Sequence, residues 1–203
     1  TLDRSSAASD VYKRQDLGYN VSEKIKLYGN FGKTFRIPTY TDLYYSDRTT
    51  IGNSELEPES AVSTEFGFKY NSSKFILKAA IFNRESKNII DYVKNNEAEP
   101  WQASNIREIN TSGFELSIGY KFYLGSLGMQ TINIGYSNID DELLETDFAF
   151  SRYALNTLKN QITGTYTFEI NEKIYSTVAY KNAERSNEEK YTVIDLSLIH
   201  ISE

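Results

Sequence analysis

Along residues 113–122, Phe114, Leu116, Ile118, Tyr120 and Phe122 fall on one side of an extended chain, with Glu115, Ser117, Gly119 and Lys121 on the other. A period of two marks a strand with one apolar and one polar face. The same alternation runs through 25–31 (Ile25, Leu27, Gly29, Phe31 against Lys26, Tyr28, Asn30), 64–70 (Thr64, Phe66, Phe68, Tyr70) and 75–81 (Phe75, Leu77, Ala79, Ile81). It returns in 132–136, in 162–168 with Gln161, Thr163, Thr165 and Thr167 opposite, and in 174–180, while 191–195 begins an eighth strand. The pattern predicts an all-β, antiparallel fold of about eight strands.

The connections alternate too. Residues 71–74 (NSSK), 123–128 (YLGSLG) and 169–172 (EINE) are short turns, and between them lie long polar segments at 36–61, 84–105, 138–157 and 182–190. Short turns at one end and long loops at the other are the signature of a transmembrane barrel, whereas a soluble sandwich has no such parity. Thr, Asn, Ser, Gln and Lys on the polar faces suit a hydrated lumen, and Tyr70, Phe122, Tyr136, Phe168 and Tyr180 at strand ends suit an interfacial girdle. A soluble antiparallel sheet resting its apolar face on a core has the same periodicity. No stretch approaches the roughly 18 apolar residues of a spanning helix, which does not exclude a barrel whose strands span with about ten alternating residues each.

The two ends read differently from the rest. Residues 10–15 (DVYKRQ) can be back-translated as GAT GTG TAT AAG AGA CAG, whose reverse complement spells LSLIHI, the residues at 196–201. Inverted copies of one DNA sequence at both ends are what transposase-inserted sequencing adapters leave, and residues 5–9 and 202–203 extend the match outward. Residues 1–15 and 196–203 are therefore expected to be non-native and are set aside like any fusion scar, leaving 16–195 as the native segment.

Composition narrows the chemistry. Sixteen Tyr and eleven Phe beside one Trp and one Met make an aromatic, strand-favouring chain. The net charge is −6, with or without the ends, which argues against nucleic acid as a partner. The chain has no Cys, and its one histidine, His200, lies in the excluded end, so 16–195 offers no His/Cys metal site, Ser-His-Asp triad or cysteine nucleophile. No enzyme, cofactor or metal site is expected.

Residues 28–70 then carry a distinctive order of elements: Phe35, Arg36 and Pro38 at a strand end, Asp42 to Tyr44 (DLY), Gly52, Asn53, Leu56, Pro58 and Glu59, and finally Glu65 and Gly67. This order resembles the barrel of TonB-dependent outer-membrane receptors, and 88–93 (NIIDYV), 105–115 (NIREINTSGFE) and 151–156 (SRYALN) continue the likeness toward the cobalamin and ferric-siderophore branches. The resemblance implies the middle-to-late strands of a plugged barrel of about 22 strands. It also implies the outer membrane of a Gram-negative bacterium, uptake of a scarce nutrient, and coupling to a TonB complex through a plug that lies outside this segment. A self-contained small barrel with a structural or adhesive role is the alternative, and a soluble lipocalin-like binding protein a more distant one.

Within that frame, Tyr44, Tyr45 and Asp47 in the first long loop and Trp101 in the second offer stacking and hydrogen-bonding groups to a large polar ligand. For Trp101, packing at the lipid headgroup level is the competing role. Glu65, Glu115 and Lys121 are expected to face the lumen, as partners of plug charges or as solvated groups. Glu57 and Glu59 read as a solvated acid pair at a strand entry rather than as catalytic carboxylates. Asp140, Asp141, Glu142, Glu145 and Asp147 form an acidic loop without the spacing of a dedicated cation site.

Overall fold

The computed structural model describes residues 11–143, 148–152, 157–171 and 174–200. Its strands are β1 (Val11–Asn20), β2 (Ile25–Arg36), β3 (Thr50–Ile51), β4 (Glu59–Asn71), β5 (Phe75–Lys94), β6 (Trp101–Tyr123), β7 (Met129–Leu143), β8 (Phe150–Ser151), β9 (Leu158–Asn171), β10 (Ile174–Arg185) and β11 (Lys190–His200). One short helix, α1 (Tyr40–Tyr44), interrupts the first long loop. The long strands form an antiparallel meander in the order β1-β2-β4-β5-β6-β7-β9-β10-β11, while β3 pairs parallel with β6, and β8 antiparallel with β5. The path runs from edge to edge without β1 meeting β11, so the described strands are an open part of a barrel wall, not a small closed barrel.

Register carries the alternation from strand to strand. One row of paired residues reads Leu27, Phe68, Ala79, Leu116, Tyr136 and Ile162 across β2, β4, β5, β6, β7 and β9. The adjacent row reads Tyr28, Gly67, Ala80, Glu115, Ser137 and Gln161. A slip of one residue in any pair would exchange the faces, so the two rows fix the register together. The apolar face carries Leu27 (45% exposed), Phe66 (66%), Ile81 (62%) and Ile134 (52%), with no protein layer over it. Large aliphatic and aromatic side chains left bare in this way suit lipid as the neighbouring phase.

Two motif glycines have spatial reasons. Gly67 stands opposite Tyr28, and a Cβ there would run into the Tyr28 ring, which lies across the sheet with Lys69 Nζ 4.6 Å from its centroid. Gly113 likewise leaves room for the ring of Phe82 and the carbonyl of Asn138.

The structure corrects the loop boundaries. Residues 84–105 are mostly strand, because β5 runs 20 residues to Lys94 and β6 runs 23 residues from Trp101, with only 95–100 between them. Of residues 182–190, 182–185 and 190 are likewise paired, and only 186–189 form the turn, where Arg185 N donates to Glu189 O at 2.9 Å. Both faces of these extensions carry polar residues, so the hydrophobic alternation disappears while main-chain pairing continues. A span of about ten residues crosses a membrane, so the paired strands continue well beyond it at the end that carries the long loops. A ninth long strand, β1, precedes the eight anticipated and takes five of its ten residues from the segment set aside as non-native. Main-chain pairing accepts almost any sequence, so its presence there is neutral about origin.

A single-layer wall has no central core, and the buried apolar residues gather at the long-loop end. Leu56, Ile90, Tyr92 and Ala103 form a cluster against which Leu43 and Trp101 pack. There the loop of 37–58 folds back onto the β5–β6 extension.

Candidate ligand-binding site

The first long loop is pinned by a partly buried ion network. Arg36 at the end of β2 and Glu59 at the start of β4 are register partners joined by a two-point guanidinium–carboxylate contact, Nε to Oε2 at 2.8 Å and Nη2 to Oε1 at 2.5 Å. Arg36 Nη1 also reaches Asp42 Oδ2 at 3.4 Å. Thr39 caps α1: its N and Oγ1 donate to Asp42 Oδ2 at 3.0 and 2.8 Å, and its Oγ1 accepts from Asp42 N at 3.2 Å. From the neighbouring extension, Tyr92 Oη donates to Asp42 Oδ1 at 3.2 Å, and Ile90 N donates to Glu59 Oε1 at 2.7 Å.

Burial pushes the Asp42 carboxyl upward, but the hydrogen bonds from Thr39, the charge of Arg36 and the Tyr92 hydroxyl together outweigh it and hold the group below its ordinary range. The bond to Glu59 is the largest influence on Arg36, whose already high value rises further.

A second clasp is built from amides. Asn105 Oδ1 accepts from Glu57 N at 2.8 Å, and Asn105 Nδ2 donates to Glu57 O at 3.0 Å and to Asn88 O at 2.8 Å. Asn88 Nδ2 donates to Glu57 Oε2 at 2.8 Å. Glu57 and Glu59 are thus structural bond-makers, not a free solvated pair. Sequence spacing could not show this, because their partners lie 23 to 48 residues away.

The anticipated ligand residues converge on the same region. Asp47 is absorbed by the loop: its Oδ1 accepts from Thr49 N and Thr50 N, both at 2.7 Å, and from Thr49 Oγ1 at 2.9 Å, while its Oδ2 accepts from Tyr45 Oη at 2.9 Å. These bonds, led by the one from Thr49 N, hold the Asp47 carboxyl down at about 2. Tyr45 is thereby held by Asp47, and its hydroxyl is pushed up by that bond. Tyr44 is 58% exposed and lies against Tyr40, ring centroids 5.2 Å apart. Trp101 is joined to the loop where its N donates to Thr49 O at 2.8 Å, and two cations lie by its ring: Lys94 Nζ at 4.7 Å and the Arg152 guanidinium at 5.1 Å.

Glu65, Glu115 and Lys121 all lie on the polar face. Glu65 Oε2 accepts from Asn30 Nδ2 at 3.0 Å, and Glu115 lines a recess with Lys69, Lys78 and Gln161. Higher on that face, a cavity of about 480 Å³ is lined by Arg36, Glu59, Arg84, Ser86, Thr111 and Asp141, among others. In the acidic stretch, Asp141 accepts from Thr111 Oγ1 at 2.5 Å, while Glu145 and Asp147 lie outside the described residues. Among the described residues, no three His, Cys, Asp or Glu side chains are placed to hold a metal ion. The sequence marks no site role for Tyr92, Lys94, Arg152 or Asn105, although Tyr92, Asn105 and Arg152 fall in the family-like strings 88–93, 105–115 and 151–156.

Comparison with known proteins agrees with this architecture. The family model described as TonB dependent receptor-like, beta-barrel matches residues 2–200. The vitamin B12 transporter BtuB of Photobacterium profundum is 23% identical over 186 residues, covering 88% of this chain and 29% of that protein. The BtuB of Vibrio vulnificus (strain CMCP6) is 28% identical over 113 residues, covering 55% of this chain and 17% of that one. Among solved structures, the copper transporter OprC superposes with a TM-score of 0.69 at 15% identity, covering 92% of this chain and 30% of its own. The siderophore receptor PirA from Pseudomonas aeruginosa does so with 0.68 at 16%, covering 95% and 34%. The chain therefore spans about a third or less of the length of these proteins.

Proposed function

Because the chain belongs to the TonB-dependent receptor β-barrel family, we propose that it is part of an outer-membrane receptor of a Gram-negative bacterium that binds a scarce nutrient of the cobalamin or ferric-siderophore class. Entry would run through the barrel, with energy from a TonB complex acting on a plug domain. The family is one of receptors and transporters, not enzymes.

The single observation that carries this reading is the two-faced wall with a folded cap at one end. Phe66, Ile81 and Ile134 lie on the exposed apolar face and Glu65, Glu115 and Lys121 on the opposite polar face, an arrangement that supports lipid on one side and a lumen holding the plug on the other. At the outer end, Tyr44, Tyr45 and Trp101 form the ligand-contact surface, and Asp47 orders Tyr45 within it. The Arg36–Asp42–Glu59 network keeps that surface in one piece, so binding has less loop ordering to pay for.

The native segment in this proposal is 16–195. The inverted coding of the two ends supports it. The family match takes in residues 2–200.

Uptake in the source strain tests the function. Deleting the full-length gene should abolish TonB-dependent accumulation of radiolabelled cyanocobalamin or of a ferric siderophore, and plasmid-borne wild type should restore it. Unchanged uptake of both classes would count against these nutrients.

A further inference from the structure

Three lysines stand side by side on the polar face, near the short turns. Lys26 on β2 is the register partner of Lys69 on β4, and Lys69 is that of Lys78 on β5. Directly paired residues of antiparallel strands sit about 5 Å apart at Cα, so three ammoniums share one row. The row belongs to the face of Glu115: Lys69 and Lys78 line a recess of about 370 Å³ with Tyr28, Glu115 and Gln161. Lys69 Nζ lies 4.6 Å from the Tyr28 ring centroid. Lys26 leans the other way, toward β1, where a Cβ on Gly18 would stand 2.9 Å from its Cε.

The acids of this face do not match the row. Glu115 is the nearest, diagonal to Lys78, whose partner on β6 is Ser117. Glu65 lies further up β4 from Lys69, by about 13 Å of strand. Even with Glu115 counted at full charge, Lys26, Lys69 and Lys78 face a single carboxylate. The exposed flanks add to the excess, since Lys24 and Lys74 in the two turns and Lys121 on β6 are set against Glu23 alone. Among the described residues, none of Lys26, Lys69 and Lys78 has a carboxylate within ion-pair distance.

Like charges directly opposite on neighbouring strands repel. While the face is wet, water and salt screen them. Covered by protein, the same ammoniums lose that water, and a covered charge is tolerated only beside a partner. In the receptor reading the polar face is the one a plug covers. The wall supplies too few carboxylates for the row, so the covering surface has to supply them.

Resting on that reading, we propose that the Lys26–Lys69–Lys78 row seats an acidic patch of the plug domain, a group of Asp and Glu side chains at the short-turn level of the lumen. Lysine suits this contact, because each ammonium is a compact charge with three donors on a flexible stem and can meet carboxylates on an irregular surface. The pairs fasten the plug to the sector of wall formed by β2, β4 and β5.

The test is carbodiimide cross-linking of the full-length receptor in detergent. The reagent condenses a lysine amine with a carboxylate touching it into an amide, and itself takes up the water as a urea. Peptide mass spectrometry should find Lys26, Lys69 or Lys78 joined to Asp or Glu of the plug. Links that run only to wall carboxylates such as Glu115, or only to a second copy of the receptor, overturn the proposal, as does the absence of any link. The triple variant Lys26→Gln/Lys69→Gln/Lys78→Gln should raise amide exchange in the plug roughly tenfold at the short-turn level, with exchange in the membrane strands unchanged. The variant Lys26→Arg/Lys69→Arg/Lys78→Arg, which keeps the charge, should stay within about threefold of wild type. Equal exchange in wild type and the Gln variant also overturns the seat. In each of these failures the receptor reading stands, whereas a gene that encodes no plug removes both.

Discussion

Tyr92 on β5 donates its hydroxyl to Asp42 in the first long loop at 3.2 Å, across 50 residues of sequence. That bond ties the loop to the β-hairpin extension beside it, and the carboxylate it reaches is already held by Thr39 and Arg36. Removing the hydroxyl would leave a buried acceptor one partner short, at a cost of about 1–3 kcal/mol to the local unit. Tyr92→Phe should therefore raise amide exchange across 37–58 in the full-length receptor, roughly tenfold or more, with exchange in the membrane strands unchanged. Uniform exchange rates in wild type and variant would show that the bond does not secure the loop.

Acid should loosen the same loop within a defined window. The carboxyls of Asp42 and Asp47 both lie below their ordinary value of 3.8, Asp47 at about 2. A depressed folded value means the stabilisation is fully present above the unfolded value and is lost as pH falls through the folded one. Cleavage within 37–58 by an acid-active protease should hence stay constant from pH 7 to about pH 4 and rise below that. A rise already at pH 6 would point to some other group.

Much of the wall was legible, and the reason is particular. In β6, Phe114 through Phe122 alternate because one face meets lipid and the other water, and that is the signal a period of two detects. The β5 and β6 extensions read as loops in sequence because Arg84, Glu85, Ser86 and Lys87 put polar groups on both faces, although each pairs with β6. The cap was least legible. Asp42, Glu59 and Tyr92 all fall in the family-like order, but nothing in their spacing shows that they share one bond network, which only folding of the 37–58 loop brings together. Residue type marks Asp47 as a ligand candidate, and only the structure shows that its oxygens also order the turn that precedes β3.

Packing across the wall predicts a pair effect. Gly67→Ala should lower the yield of folded barrel, because the new methyl meets the Tyr28 ring. Gly67→Ala/Tyr28→Ala should recover it, as heat-modifiable mobility on gels can show. If the double variant folds no better than Gly67→Ala, the steric account of this glycine is wrong.

The two faces should respond oppositely to charge. Ile81→Lys on the apolar face should cost about 2–4 kcal/mol of refolding free energy into lipid vesicles if it lies near the midplane. Glu115→Lys, on the polar face, should change it by well under half as much. Equal costs at both positions would contradict the assignment of lipid and lumen.

The central claim is that 16–195 is an internal piece of a nutrient receptor of this family, and sequencing the source locus outward from Asp16 and Asp195 tests it most directly. The account predicts that the reading frame continues upstream into a plug domain and downstream into further strands, with the DVYKRQ and LSLIHI codons absent from genomic DNA. Those codons present in the genome, with a start and a stop beside them, would contradict it.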